Sequence, residues 1–117
     1  MIYAVDIDGT ICSQVIQKDG SKDYAAALPY QQRIDQLNKL YDDGHTINYI
    51  TARGAQSGKD WTKLTICQLE DWGVKYHTLS VGKKPHYDLW IDDKAIHADE
   101  FFPVPAWSII DKNTTFC

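Results

Sequence analysis

Asp6 and Asp8, separated by one apolar residue and followed by Gly9-Thr10, stand where the apolar run Ile2-Tyr3-Ala4-Val5 stops. Two carboxylates two apart at the mouth of a buried strand can converge with the intervening backbone carbonyl if the chain turns at Asp8. A second acidic pair, Asp92-Asp93, follows another apolar run, Tyr87 to Ile91. Four carboxylates gathered at one point repel one another, and the crowding is relieved by a raised pKa or by a bound cation. Magnesium suits such a set, because it takes oxygen ligands and is commonly held by one or two carboxylates plus a substrate phosphate. The remaining polar clusters suit that phosphate. Thr51, the neighbouring backbone at Ala52 and Arg53, and a lysine from the pair Lys83-Lys84 offer hydrogen bonds and positive charge to phosphoryl oxygens. An aspartate beside them can serve as a nucleophile and form an aspartyl-phosphate.

The elements that must carry these residues follow from periodicity and punctuation. Residues 2 to 7 are apolar on both faces and stop at Gly9, as a central parallel strand does. Residues 11 to 29 read as a small hairpin-like flap, with Lys18-Asp19-Gly20-Ser21 as its turn. Pro29 opens a helix whose apolar face is Ile34, Leu37, Leu40 and Tyr41, and Gly44 ends it. Ile47 to Ile50 is a second strand, ending at Thr51-Ala52-Arg53-Gly54. Asp60 caps a second helix with Leu64, Cys67, Gln68 and Trp72 on one face and Gly73 as its stop. Tyr76 to Val81 and Tyr87 to Ile91 complete a set of four strands, and the segment from Phe101 to Cys117 is weakly patterned. Strands alternating with helices predict an α/β fold, a three-layer Rossmann-like parallel sheet with ligands bound at the carboxyl ends of its strands. Every polar cluster named above falls at such an end.

A chain of 117 residues is expected to be one domain, 1–117. Its net charge of -4 gives no electrostatic basis for a nucleic-acid partner. Cys12, Cys67 and Cys117 match neither a zinc pair nor a disulfide framework and read as reduced thiols. No apolar run reaches the ~20 residues that span a bilayer, and there is no signal-peptide pattern, so no membrane partner and a cytoplasmic location are expected.

The order Asp6-x-Asp8-Gly9-Thr10, Thr51 after a strand, a lysine, then Asp92-Asp93 after a last strand resembles the haloacid dehalogenase superfamily, in its phosphatase branch. Lys84-Pro85-x-Tyr87-Asp88-Leu89 before Ile91-Asp92-Asp93-Lys94-Ala95, with Ile50-Thr51-Ala52-Arg53-Gly54, Trp61 and Trp72 to Tyr76, is more narrowly similar to small phosphatases encoded with capsule-polysaccharide genes. The resemblance implies that Asp6 is the nucleophile and Asp8 the acid/base, and that Thr51 binds the phosphoryl group. It implies magnesium held by Asp6, the Asp8 carbonyl and one of the late pair, favouring Asp93, with Asp92 orienting the lysine or a metal-bound water. It favours Lys84 over Lys83. A cap domain does not fit the about 40 residues between Asp8 and Thr51. Cap-less members tend either to oligomerise, a neighbour covering the cleft, or to accept large substrates in an open one; a homo-oligomer, dimer or tetramer, is expected.

The expected activity is therefore magnesium-dependent hydrolysis of a phosphate monoester, with a sugar phosphate or related small metabolite as substrate and a 5'-nucleotidase as the runner-up. A receiver-type signalling module also gathers acidic residues, Thr and Lys at strand ends. It differs in order, because a receiver places its phosphorylated Asp on a middle strand, where this chain has Thr51. Arg53 reads as a surface residue or a contact to substrate beyond the phosphate. Tyr24 and His86 are weaker substrate-contact candidates. The four tryptophans, Trp61, Trp72, Trp90 and Trp107, read as core or interface.

Overall fold

A computed structural model describes residues 1–85 and 87–103. His86, Trp107, Cys117 and most of the 101–117 segment lie outside the described residues.

Isoleucine, tyrosine and valine favour extended backbone, and Ile2–Val5 forms strand β1. Thr46–Thr51 forms β2 and Thr78–Val81 forms β3. The three are parallel, in the order β1-β2-β3. Ile2 pairs with Thr46 and Val5 with Tyr49, while Asn48 pairs with Thr78 and Thr51 with Val81. Parallel neighbours need crossovers. Helix α1, Gln31–Asp42, joins β1 to β2, and helix α2, Thr62–Asp71, joins β2 to β3.

Both helices stop by one device. Gly44 and Gly73 take φ of +98° and +69°, a conformation glycine adopts without steric penalty. In α1, His45 N–H reaches back to the Leu40 carbonyl (3.0 Å) and Gly44 N–H to that of Tyr41 (3.1 Å). In α2, Val74 and Gly73 repeat the pattern on Leu69 (2.9 Å) and Glu70 (3.1 Å). These paired bonds satisfy carbonyls that the helix ends leave orphaned. Asp60 was expected to cap α2, but the N-cap position is Trp61; Asp60, one residue earlier, accepts from Thr62 N–H at 2.9 Å.

The core gathers Val5, Ile7, Ile11, Ile34, Leu37, Ile47, Tyr49, Leu69, Trp72 and Phe102. Arg33 is buried with them. It donates to the Thr10 carbonyl (3.1 Å) and pairs with Asp99 (2.8 Å), and its guanidinium lies 4.7 Å from the Phe102 ring. It thereby pins the acidic-motif loop to the single-turn helix α3, Ala98–Phe101. The flap forms as read: Ile16 bridges Lys22 antiparallel, and Gln17 N–H donates to the Ser21 carbonyl at 2.7 Å.

Four further expectations are corrected. Tyr87 to Ile91 is not a strand: Leu89 is 75% and Ile91 88% exposed. An apolar run marks a strand only where a neighbour pairs with it, and among the described residues this one has no ladder. β1 is consequently an edge strand of the described sheet, with Ile2 and Ala4 exposed. The buried face of α2 is Thr65, Gln68, Leu69 and Trp72, rotated one residue from the expected stripe because two polar side chains have partners inside. Of the cysteines, Cys12 is a buried free thiol, whereas Cys67 is disulfide-bonded. No helix among the described residues is long and apolar enough to cross a membrane.

Leu37 is buried in the core, so Leu37→Ala is expected to cost about 3 kcal/mol, the sum of lost transfer energy and a residual cavity. Urea unfolding should show a lower midpoint at an unchanged slope.

Candidate active site

The loop after β1 is built by two isoleucines and one glycine. Ile7 and Ile11 are anchored in the core, and the Ile7 carbonyl accepts from both Thr10 N–H (3.0 Å) and Ile11 N–H (2.9 Å). Gly9, at φ +78°, lets the chain reverse between them. This tight turn presents Asp6 and Asp8 in different environments. The Asp6 side chain is 38% exposed, that of Asp8 only 11%.

Asp6 Oδ1 accepts from Ile7 N–H at 2.8 Å, and Oδ2 faces Lys84 Nζ at 3.3 Å. Burial raises the Asp6 carboxyl above its ordinary range, and this outweighs the opposing effects of Lys84 and of the Ile7 hydrogen bond. Partial burial disfavours the Lys84 charge too, but Tyr87 and Asp6 more than compensate and hold its pKa up. Lys84, the lysine favoured from sequence, is thus the one against Asp6; Lys83 is exposed.

Asp8 is held by Arg53. Arg53 Nε donates to Asp8 Oδ2 (2.9 Å) and Nη2 to Oδ1 (2.8 Å), a two-pronged fit of guanidinium to carboxylate. Nη1 donates to Gln68 Oε1 (2.6 Å) and Thr65 Oγ1 (3.2 Å), and the Tyr24 ring lies 4.9 Å from the guanidinium carbon. Burial opposes the charge of Arg53, yet its bonds to Asp8 prevail and keep its pKa raised. Arg53 was expected on the surface or against substrate. It is instead 1% exposed, because its donors are spent on protein acceptors.

Thr51 ends β2 as expected and is buried. Its hydroxyl accepts from Arg53 N–H at 3.2 Å, and its carbonyl accepts from Gly82 N–H at 3.0 Å, which joins the ends of β2 and β3. Ala52 is half-buried, with its carbonyl turned to Ala55 N–H (2.8 Å). Cys12 donates weakly to Asp8 Oδ1 at 3.5 Å. Burial, then the charge of Asp8, drives its thiol well above the ordinary range, which disfavours the thiolate.

Asp92 and Asp93 are exposed. Asp92 accepts from Trp90 Nε1 (3.3 Å) and Lys94 N–H (3.2 Å). Its carboxyl is held below the usual range by hydrogen bonding first with Asp93, then with Trp90 and Lys94. The late pair was expected to gather with Asp6 and Asp8 around one cation, but the structure does not bring the two pairs together: Lys84 over the Tyr87 ring (5.1 Å), Tyr87 against Trp90 (5.1 Å) and Trp90 bonded to Asp92 stand between them. Among the described residues, no group of three or more His, Cys, Asp or Glu side chains stands together as a metal site. The donors at the mouth of β1 nonetheless fit a hard cation. They are oxygens, the Asp6 carboxylate and the Asp8 carbonyl, and the latter accepts no hydrogen bond from a described residue.

Thr65 and Gln68, one helical turn apart, are the site residues that sequence reasoning missed as partners of Arg53. Two polar side chains on the inward stripe of a helix were the available signal.

Comparison with known proteins adds the fold. The chain is similar to a crystal structure of a structural-genomics target from Vibrio cholerae, 28% identical over 92% of each chain, with a TM-score of 0.65. That protein carries no functional name. No protein-family model matches the chain, and no curated protein matches it. What the two chains share is a small α/β architecture around a parallel sheet.

Gly54 closes the Arg53 loop at φ +85°, and a Cβ there would run into the Lys59 carbonyl oxygen. Gly54→Ala is expected to cost about 2–4 kcal/mol from backbone strain and overpacking together. A calorimetric melt should show the loss, and a melt matching that of the parent would contradict the loop geometry.

Proposed function

We propose that this chain is a phosphatase of the haloacid dehalogenase type, similar to the small capsule-polysaccharide phosphatases, that hydrolyses a phosphate monoester through an aspartyl-phosphate on Asp6. The observation that carries this reading is the difference between the two motif carboxylates. Asp6 is reachable, oriented by Ile7 N–H and faced by Lys84; Asp8, two residues on, is enclosed by Arg53. A nucleophile needs access and a fixed attack direction, whereas an acid/base group needs a fixed position beside it.

An Asp6 oxygen attacks phosphorus, the bond to the ester oxygen breaks, and Asp8 supplies the proton to the departing alcohol. Asp8 then takes a proton from the water that cleaves the acyl phosphate and regenerates Asp6. Lys84 offsets negative charge on the phosphoryl oxygens, and the Thr51 hydroxyl, whose own proton is spent on no described acceptor, donates to one of them. Ala52 contributes backbone at the same strand end. Magnesium would be held by Asp6 and the Asp8 carbonyl; the resemblance assigns a further position to Asp93 or Asp92, which would have to move in from beyond the Lys84–Tyr87–Trp90 contacts. It would supply the positive charge that lets carboxylate and phosphate approach each other. The substrate is a small phosphorylated metabolite, a sugar phosphate before a nucleotide, and a second copy of the chain in a dimer or tetramer would shield the open cleft.

Asp6→Asn is expected to lower p-nitrophenyl phosphate turnover by at least about 10³-fold while circular dichroism stays unchanged; comparable turnover would remove Asp6 as nucleophile. Chelation with EDTA should silence the native chain and added Mg²⁺ restore it. Activity persisting in EDTA would contradict the cation's part in the reaction.

A further inference from the structure

Arg53 poses a question that the reaction leaves open. Its side chain has no exposed surface, and each of its five N–H groups faces an acceptor: two on Asp8, one each on Gln68 and Thr65, and the Cys12 sulfur at a long 4.0 Å. A guanidinium so committed has no donor left for a substrate. It can act only through its partners.

Those partners come from separate elements. Asp8 lies in the loop after β1, Thr65 and Gln68 on α2, and the Tyr24 ring in the short helical turn at the root of the flap. Gln68 reaches both ways, accepting from Arg53 and donating through Nε2 to the Tyr24 carbonyl at 2.7 Å. The Arg53 backbone is in turn held to Thr51. One side chain therefore fixes the Asp8 carboxylate relative to the end of β2, to α2 and to the flap.

We infer that Arg53 is a positioning residue, which holds the Asp8 carboxylate where it can hand a proton to the leaving group and ties that carboxylate to the flap through Gln68 and Tyr24. The inference rests on the phosphatase reading above. It assigns Arg53 to the departure of the alcohol and not to recognition of the phosphate. Loosening Asp8 then harms the esters that need a proton to leave and spares those that do not.

The test uses Arg53→Lys and Gln68→Leu in the full chain with a series of aryl phosphates running from p-nitrophenyl phosphate, whose phenolate leaves unaided, to unsubstituted phenyl phosphate. Arg53→Lys is expected to lose about 10²-fold in kcat/KM on phenyl phosphate and less than about threefold on p-nitrophenyl phosphate, through kcat, because proton transfer is what is misplaced. Gln68→Leu leaves the Asp8 fork intact, is the less disruptive change for folding, and should steepen the dependence on leaving group in the same direction by less. An equal loss across the series marks a merely structural pair and overturns the inference, as does no loss. A native chain inert toward every ester overturns the phosphatase reading itself, an outcome separate from any difference among variants.

Discussion

A guanidinium and a carboxylate taken out of water together are the constraint on which this site depends. Desolvating both ions is expensive, and the Arg53–Asp8 pair survives because its geometry is two-pronged and the remaining guanidinium donors find Thr65 and Gln68. Once such a pair is buried, removing either member strands the other, at about 3–5 kcal/mol. The pair is thus a register pin. It sets the loop after β1 against the loop after β2, and neither can shift without the other. Asp6, outside the pin, keeps the accessibility that Asp8 gives up.

The frame that allows this is small. Three parallel strands and two crossover helices bring the ends of β1, β2 and β3 side by side. Each end contributes one participant, namely the acidic turn, Thr51 with Arg53, and Lys84. Open parallel sheets bind ligands outside the carboxyl ends of their strands, and the polar residues of this chain concentrate there. The bond from Gly82 N–H to the Thr51 carbonyl carries the alignment from β2 to the segment that delivers Lys84.

Much of this was legible in the sequence, for reasons particular residues make plain. Gly44 and Gly73 announced the helix ends because few other residues take their backbone conformation cheaply. Lys18 to Ser21 announced the flap turn by composition, and Thr46–Thr51 announced β2 by its β-branched and aromatic content. Arg53 was illegible in its role. A charged side chain is ordinarily exposed, and what reverses that default is a partner 45 positions away in sequence. The rotation of α2 followed from the same omission, since Thr65 looks like a surface residue until Arg53 is placed beneath it, whereas Gln68 already lay on the expected face. Tyr87 to Ile91 failed as a strand for the converse reason: apolar content states what a segment would bury, not what pairs with it. The late carboxylates were legible as a motif, but their separation from Asp6 by the Lys84–Tyr87–Trp90 relay was not.

The tip of the flap is self-contained. Asp19 accepts from Ser21 N–H and Oγ, Ser21 Oγ also lies within bonding distance of Gln17, and all three are exposed. Its root, by contrast, is fastened at the Tyr24 carbonyl. Because a longer surface loop adds only slowly to closure entropy, new segments can be grafted between Lys18 and Ser21 while the Gln68 bond to the Tyr24 carbonyl that fastens the root is left undisturbed.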